Sequence, residues 1–172
     1  MRSGTGSVFF VMGVSGCGKS TLGQQLAKIL GVSFFEGDDY HPKSNVRKMS
    51  QGIALTDTDR LPWLQKLRKI AGENGKLGCV ISCSALKASY REVLSRGLSV
   101  EVAWIFLDGD YDTILGRLRH RAGHFMPAEL LKSQFETLEP PEHAIRIPVD
   151  LPIEKQVELV LSLMENQKKS GL

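Results

Sequence analysis

The stretch VFFVMGVSGCGKSTLGQQLAKILG, residues Val8–Gly31, determines the architecture that we predict for this chain. Its first five residues, Val8–Met12, are all apolar. This run has the length of a buried strand and leads directly into a glycine-rich turn. Leu22 and Leu26 then recur at helical spacing, and Gly31 is placed to end that helix. A strand, a turn and a helix in this order predict the first unit of a parallel α/β sheet.

The turn itself, GVSGCGKS, matches the phosphate-loop pattern G-x-x-x-x-G-K-[ST] at every fixed position. Glycines let backbone N–H groups turn toward phosphate oxygens, and the helix N-terminus adds partial positive charge. Lys19 is placed to reach the β- and γ-phosphates, Ser20 to ligate Mg²⁺ and Thr21 to lie near the α-phosphate. The turn therefore predicts binding of a nucleoside triphosphate. The predicted nucleotide-binding residues of the turn are Gly13, Val14, Ser15, Gly16, Cys17, Gly18, Lys19, Ser20 and Thr21.

The composition is that of an ordinary globular protein. The chain has 172 residues, enough for one domain with a substantial core, and 42% of them are apolar. A net charge of +3 is too small to indicate a nucleic-acid or membrane partner. The chain has neither a secretory leader pattern nor an apolar run of about 18 residues, the length of a membrane span. We therefore expect one cytoplasmic domain over residues 1–172.

The three cysteines, Cys17, Cys79 and Cys83, are odd in number and lack metal-ligand spacing, so no disulfide framework is predicted. Cys79 and Cys83 fall in an apolar run and are interpreted as buried small side chains. Cys17 precedes a helix N-terminus, where a thiol can become reactive. We instead interpret it as a position that tolerates any small residue.

Apolar runs of strand length alternate with helical patterns along the rest of the chain, which predicts a parallel sheet covered on both faces. Pro62 is predicted to open one helix from its first turn, and Asp110 to cap another. The further predicted strands are Val32–Phe35, Leu77–Ser82, Val100–Leu107 and Ala144–Val149.

An acidic segment, FFEGDDYHP, follows the second predicted strand. Open α/β sheets bind ligands at the carboxyl ends of their strands, and Glu36 and Asp38 alternate so that both can project into one crevice. One carboxylate would serve the metal, since the third strand lacks a terminal aspartate, and the other would accept the proton of an alcohol. The alternative is a solvated acidic loop that caps the next helix.

Cations gather in the middle of the chain, where Lys48, Arg60, Lys87 and Arg91 have few apolar neighbours. Ser84 is predicted to cap the helix after the third strand, which would place Lys87 and Arg91 on a common face. Arginine binds a planar carboxylate bidentately, so this group hints at an acceptor that is both an alcohol and an acid. Alternatively, these charges are only solvated helix faces.

An arginine-rich segment with a glycine at its centre, Gly116–Pro127, is interpreted as part of a lid over residues 117–138. Arg117 and Arg121 precede Gly123, and closure of such a segment would exclude water and neutralise charge in the transition state. The structural alternative is an exposed basic helix end that the helix dipole favours.

Four blocks of the sequence together resemble gluconate kinases of the thermoresistant type, a family of P-loop small-molecule kinases related to shikimate and nucleoside monophosphate kinases. They cover nearly the whole chain and read MGVSGCGKST, GDDYHPKSNVRKMSQGIALTDTDRLPWL, CSALKASYRE and RAGHFMPAELLKSQFETLEPP. The resemblance implies ATP- and Mg²⁺-dependent phosphorylation of the 6-hydroxyl of D-gluconate, which feeds 6-phosphogluconate into the pentose phosphate pathway. It also implies a three-layer α/β fold with a five-stranded parallel sheet, a small helical lid and a homodimer.

The resemblance further implies roles for single residues. Asp38 would act on the accepted hydroxyl, and Ser20 with Glu36 would hold the metal, although many relatives have aspartate at position 36. Arg117 and Arg121 would lie near the adenine and the phosphates. The predicted catalytic residues are Lys19, Asp38 and Arg121, and the predicted acceptor-binding residues are Asp38, His41, Lys48, Arg60, Lys87 and Arg91. The rival interpretations are a shikimate or nucleoside monophosphate kinase, or a nucleotide-dependent switch without acceptor turnover.

Overall fold

The computed structural model describes residues 6–121 and 127–170. Strands and helices alternate along them. The strands are β1 Ser7–Met12, β2 Ser33–Glu36, β3 Cys79–Ser82, β4 Glu101–Asp108 and β5 Ile145–Pro148. The helices are α1 Lys19–Leu30, α2 Lys43–Ser50, α3 Asp57–Asn74, α4 Ala88–Ser95, α5 Tyr111–His120, α6 Ala128–Thr137 and α7 Ile153–Lys169, and a 3₁₀ turn spans Gly37–Tyr40.

The five strands form one parallel sheet in the order β2-β3-β1-β4-β5. The predicted five-stranded parallel sheet is therefore confirmed, and four of its strands begin and end within a residue of the predicted positions. The start of β3 differs from the prediction. Leu77 is 87% exposed and Gly78 has a φ of 87°, so the strand begins at Cys79.

Each face of the sheet carries its own apolar core, which gives the expected three layers. Val8, Phe10 and Met12 of β1 point to one face, where they pack with residues of α3 and α4. Val11 points to the other face and packs with residues of α1, α5 and α7. This alternation follows from the period of two along a strand, and it explains why β1, covered on both sides, is almost entirely apolar.

Helix α3 begins earlier than the sequence pattern predicts. Thr56 accepts the N–H of Asp59, and the Asp59 carboxylate accepts the N–H of Thr56, which forms a capping box. The prediction that Pro62 opens this helix is therefore wrong, because Pro62 lies inside it as its sixth residue. The capping box determines the start, and Pro62 lies on an exposed face.

Helix α4 also begins at a different residue. Its N-cap is Lys87, so the prediction that Ser84 caps it is wrong. The N–H of Ala88 donates instead to the carboxylate of Glu139 at 2.7 Å, a partner that is 51 residues away in the chain. The predicted cap of α5 is confirmed, since Asp110 accepts the N–H of Thr113 at 2.8 Å.

None of the described helices combines the length and the apolar character that a membrane crossing requires.

The fold leaves a crevice of about 800 Å³ at the amino edge of the sheet. This edge is opposite the one that carries the phosphate loop and the acidic segment. Ser7 and Glu101, the first residues of β1 and β4, line it together with Ser170.

Candidate active site

Three segments meet at the carboxyl edge of the sheet: the phosphate loop (Gly13–Ser20), the acidic segment after β2, and the segment Cys83–Glu92, which we call the acceptor segment. The N–H of Gly13 donates to the carbonyl of Ser84 at 3.3 Å, which joins the first and the third of them. This is the edge at which open α/β sheets bind ligands.

The phosphate loop has a backbone that requires glycine. Gly13, Gly16 and Gly18 have φ values of 144°, 81° and 104°, in a region that other residues rarely adopt. Lys19 is buried and folds back across the loop, where its Nζ donates to the carbonyl of Val14 at 3.1 Å. No side chain caps the N-terminus of α1, so its first N–H groups remain available to an anion.

Two crevices open on either side of this loop. One, of about 620 Å³, is lined by Gly16, Thr21, Arg117 and Arg121. The other, of about 640 Å³, is lined by several charged side chains, and Arg121 is one of them. Their shared border along the loop suits a nucleotide whose base lies in the first and whose phosphates reach the second. The charged residues of the second crevice are Lys19, Glu36, Asp38, Asp39 and Arg121.

Glu36 bridges two hydroxyl groups at this edge. Its Oε2 accepts from the hydroxyl of Ser20, and its Oε1 accepts from Oγ of Ser82 at 2.5 Å. The predicted metal ligands Ser20 and Glu36 are thus in contact, and hard oxygen atoms of this kind suit Mg²⁺. Within the described ranges no group of three His, Cys, Asp or Glu residues could hold a metal.

Gly37 sets the position of both neighbouring carboxylates. A Cβ on Gly37 would lie 2.0 Å from the carbonyl oxygen of Ser82, so only glycine allows the chain to pass this close to β3. The carbonyl of Gly37 also accepts the indole N–H of Trp63 at 2.8 Å. The 3₁₀ turn that carries Asp38 is therefore fastened to β3 and α3.

Asp38 opens into the second crevice beside Lys19. The surrounding protein removes part of the hydration of its carboxylate, and this desolvation raises the pKa of Asp38. The charge of Lys19 opposes the rise and that of Glu36 adds to it. No hydrogen bond from a described side chain contributes to the pKa shift of this carboxylate, so the group is available to accept a proton.

His41 is held as a neutral ring. It stacks on Trp63 with ring centres 4.0 Å apart. Asn45 donates its amide nitrogen to the carbonyl of Asp59 at 2.8 Å and lies 3.3 Å from Nδ1 of His41. Because that nitrogen can only donate, Nδ1 accepts and the ring proton lies on Nε2. Burial, aided by the charge of Arg60, lowers the pKa of His41 to about 4.

Two of the predicted acceptor cations, Arg60 and Lys87, are brought together around one aromatic ring. Arg60 lies 5.4 Å and Lys87 5.5 Å from the ring centre of Tyr90. Lys87 forms a salt bridge of 3.0 Å with Asp57, which also accepts the hydroxyl of Tyr90. We call these four residues the Tyr90 cluster. They do not line the crevice that holds Asp38, and Arg60 lies close enough to His41 for its charge to lower the pKa of that ring.

The other two predicted acceptor cations have protein partners. Lys48 forms a salt bridge of 2.8 Å with Asp59. Arg91 donates to the carbonyls of Ala85 at 2.8 Å and Glu139 at 2.9 Å. Since both of these acceptors are backbone atoms, Arg91 holds the acceptor segment in shape.

The predicted lid falls only partly within the described residues. Arg117 and Arg121 lie at the carboxyl end of α5, and a guanidinium nitrogen of Arg117 donates to the carbonyl of Val149. Gly123, the proposed hinge, lies outside the described residues. Cys17 is buried, and burial raises the pKa of its thiol, which agrees with its interpretation as a small packing residue.

Four residues that shape this site were not among those singled out from the sequence. Ser82, Asn45 and Tyr90 are buried polar or amphipathic side chains that contact predicted site residues. Gln134 of α6 contacts the phosphate loop. One local signal was present: Ser82 ends an otherwise apolar strand, and a buried hydroxyl needs a hydrogen-bond partner.

Comparison with known proteins agrees with this geometry. The shikimate kinase family model matches residues 15–140. The thermosensitive gluconokinase of Escherichia coli K12 is 45% identical over 173 residues, which cover 94% of this chain and 91% of that protein. The gluconokinase of Arabidopsis thaliana is 42% identical, with 94% of each chain covered.

Solved structures give the same grouping. The crystal structure of a gluconokinase from Sinorhizobium meliloti 1021 superposes with a TM-score of 0.87 at 42% identity and 98% coverage of both chains. The APS kinase of Mycobacterium tuberculosis, at 18% identity and a TM-score of 0.70, shares the fold. By its fold, its site and these similarities, the chain belongs to the gluconokinase family of P-loop kinases.

Proposed function

We propose that this chain is a kinase that transfers the γ-phosphoryl group of ATP to the 6-hydroxyl of D-gluconate, giving 6-phospho-D-gluconate and ADP. The product would feed the pentose phosphate pathway. The observation that carries the proposal is that Asp38 shares one crevice with Lys19 of the phosphate loop. Asp38 would then accept the proton of the acceptor hydroxyl, and Lys19 would bind the phosphate that is transferred to that hydroxyl.

Transfer forms a bond between the acceptor oxygen and the γ-phosphorus and breaks the bond from that phosphorus to ADP. Asp38 orients the hydroxyl and receives its proton, and its raised pKa makes it a better acceptor than an ordinary aspartate. Lys19 and Arg121 balance the charge that develops on the phosphoryl oxygens and on the leaving group. The phosphate loop supplies the N–H groups that hold the remaining phosphate oxygens.

Mg²⁺, when bound with the nucleotide, would neutralise phosphate charge, and Ser20 and Glu36 are the residues that would hold it. In the protein their side chains are hydrogen-bonded to one another. Ser20 and Glu36 would give up that contact and each offer an oxygen atom, the ligand type that Mg²⁺ prefers. Ser82 keeps the other oxygen of Glu36 in place, which leaves one oxygen for the ion.

The acid end of gluconate would be recognised by the Tyr90 cluster. Arg60 and Lys87 keep donors beyond their present bonds, since a guanidinium has five and an ammonium three. His41, with its proton on Nε2, would donate to a hydroxyl of the sugar acid between the cluster and Asp38. Arg91 contributes by holding the acceptor segment rather than by contact with the ligand. The homodimer that the resemblance implies and the cytoplasmic location expected from the sequence are part of this proposal, and sedimentation velocity tests the first.

The test is a coupled assay with ATP, Mg²⁺ and D-gluconate, run beside Lys19→Ala and Asp38→Asn. We expect turnover with gluconate and a loss of kcat of about 10²–10⁴-fold in Asp38→Asn, the usual value of a positioned proton acceptor. Shikimate and nucleoside monophosphates are assayed in parallel. Turnover of one of these in place of gluconate contradicts the proposed acceptor, and ATP binding with no acceptor turned over would indicate a nucleotide-dependent switch.

A further inference from the structure

Gln134, in the middle of α6, holds the phosphate loop by both atoms of its side-chain amide. Its Oε1 accepts the backbone N–H of Ser15 at 2.7 Å, and its Nε2 donates to Oγ of Ser15 at 3.0 Å. The two residues are 119 positions apart in the chain, and both are half-buried. We call this pair of hydrogen bonds the Gln134 clamp.

The clamp acts on a part of the phosphate loop that lies between two glycines. Ser15 lies between Gly13 and Gly16, whose backbones have the conformational freedom of glycine. Because Gln134 accepts the N–H of Ser15, this N–H is directed toward α6. The clamp therefore fixes the conformation of the loop from outside.

The chain that follows α6 is tied to the acceptor segment. The N–H of Glu139 donates to the carbonyl of Leu86 at 2.8 Å, and its carboxylate accepts the N–H of Ala88 at 2.7 Å. Arg91 donates to the carbonyl of Glu139 at 2.9 Å. The short stretch from Gln134 to Glu139 thus contacts both the loop for the phosphate donor and the segment for the acceptor.

The fold does not depend on the clamp to keep α6 in place. Leu130 and Leu131 of α6 are buried, and Phe135 packs edge-on against Tyr111 of α5 with ring centres 5.7 Å apart. Buried apolar side chains of this kind anchor a surface helix without polar help. The polar clamp therefore has a purpose other than holding the helix.

We propose that Gln134 is a positioning residue for phosphoryl transfer, which fixes the phosphate loop at a set distance from the acceptor segment. In-line transfer is sensitive to this distance, since a shift of about 1 Å can cost about 100-fold in rate. The inference rests on the proposed function, because the distance that matters is the one between the γ-phosphate and the acceptor hydroxyl.

The first variant is Gln134→Leu, which keeps the bulk of the side chain and removes both hydrogen bonds. We expect kcat to fall by about 10- to 100-fold, with the KM values for ATP and gluconate changed by less than about threefold, because lost alignment affects the transition state more than binding. Gln25→Leu, at an exposed glutamine of α1, is the matched control and keeps wild-type kcat. Ser15→Ala removes only the Oγ bond and has a smaller effect than Gln134→Leu.

The second variant, Gln134→Glu, gives a readout that a merely structural role would not. A protonated glutamate has the shape of glutamine and can make both bonds in the same directions, whereas the ionised form forces the Ser15 hydroxyl to turn and donate, and it adds negative charge beside the phosphates. We expect the ratio of its kcat to that of the wild type to rise as the pH is lowered. Gln134→Leu has no such titration, and its ratio to the wild type stays flat.

The outcomes separate this inference from the proposed function. A kcat for Gln134→Leu within twofold of the wild type overturns the positioning role, and so does a loss that disappears when the assay is cooled below the melting temperature of the variant. If the wild type itself leaves gluconate unphosphorylated, the proposed function fails. The clamp is then judged on whichever acceptor the parallel assays identify, where the inference expects Gln134→Leu, but not Gln25→Leu, to reduce kcat.

Discussion

Asp38 and His41 lie three residues apart and are shifted in opposite directions by the same physical cause. Loss of hydration disfavours the charged form of each, so it raises the pKa of the acid and lowers the pKa of the base. At neutral pH the site therefore holds a carboxylate that accepts protons more readily than usual beside an imidazole that stays neutral. Each shift leads to a test at the level of the single residue.

The first test concerns the pH dependence of kcat. In the proposed mechanism Asp38 must be ionised to receive the proton, so we expect activity above its pKa and a fall in activity as the pH drops through it. Since desolvation raises that pKa, the acid limb should lie above the ordinary aspartate value of 3.8. Kinetics over pH on the wild type locate this limb. If Asp38→Asn retained full activity with the same limb, the assignment of Asp38 would be wrong.

The second test concerns the free energy of unfolding. The pKa of His41 is about 4 in the folded protein, against 6.5 for an unperturbed histidine ring. Between these values the unfolded chain binds more protons, so stability is complete above pH 6.5 and declines as the pH falls toward 4. His41→Phe keeps the stacking on Trp63 and should lose this decline. Urea unfolding at several pH values measures it, with the exposed His143→Phe as the control that keeps it.

At the scale of elements, the capping box makes Thr56 the residue that sets the start of α3. We expect Thr56→Ala to lower the free energy of unfolding by about 1 kcal/mol, the usual cost of losing an N-cap side chain. Thr58→Ala, at an exposed position two residues further along the chain, is the matched control and should change stability far less. Equal effects of the two substitutions in urea unfolding would contradict the role of the cap.

The helices and strands also show how far the sequence alone could predict this fold. The strands were predictable because runs such as Val8–Met12 are apolar through burial on both faces, and burial leaves a direct trace in composition. The start of α4 was not, because its N-terminal N–H is satisfied by Glu139, and no local pattern reports a partner 51 residues away. Helix starts set by distant residues require the folded structure.

In the candidate site, too, some residues could be predicted from local sequence and others depend on contacts between distant segments. Gly13–Ser20 was predictable because phosphate binding needs glycine, lysine and a hydroxyl at fixed spacing. The contacts of Ser82 with Glu36 and of Gln134 with Ser15 were not, since each joins segments that meet only through the order of the strands. Sequence patterns thus predict the candidate ligand-binding residues better than the supporting residues that hold them in place.

At the scale of the whole molecule, ligand binding at one edge of the sheet should stabilise the entire fold. A ligand that binds only the folded state adds about 2.7 kcal/mol at 100 times its Kd. We expect ATP to raise the melting temperature of the wild type and to raise it less in Lys19→Ala, because Lys19 crosses the phosphate loop. Thermal unfolding over a range of ATP concentrations measures both. A shift of equal size in the variant would place the nucleotide elsewhere.

The crevice at the amino edge of the sheet has a practical consequence for anyone who attaches this enzyme to a surface. Ser7 and Ser170, close to the two ends of the described chain, both line that crevice, whereas the phosphate loop and Asp38 open at the opposite edge. A tether joined near Ser7 or Ser170 would leave the candidate active site facing the bulk solution. A biosensor electrode could therefore carry the protein by either end with its substrates free to enter.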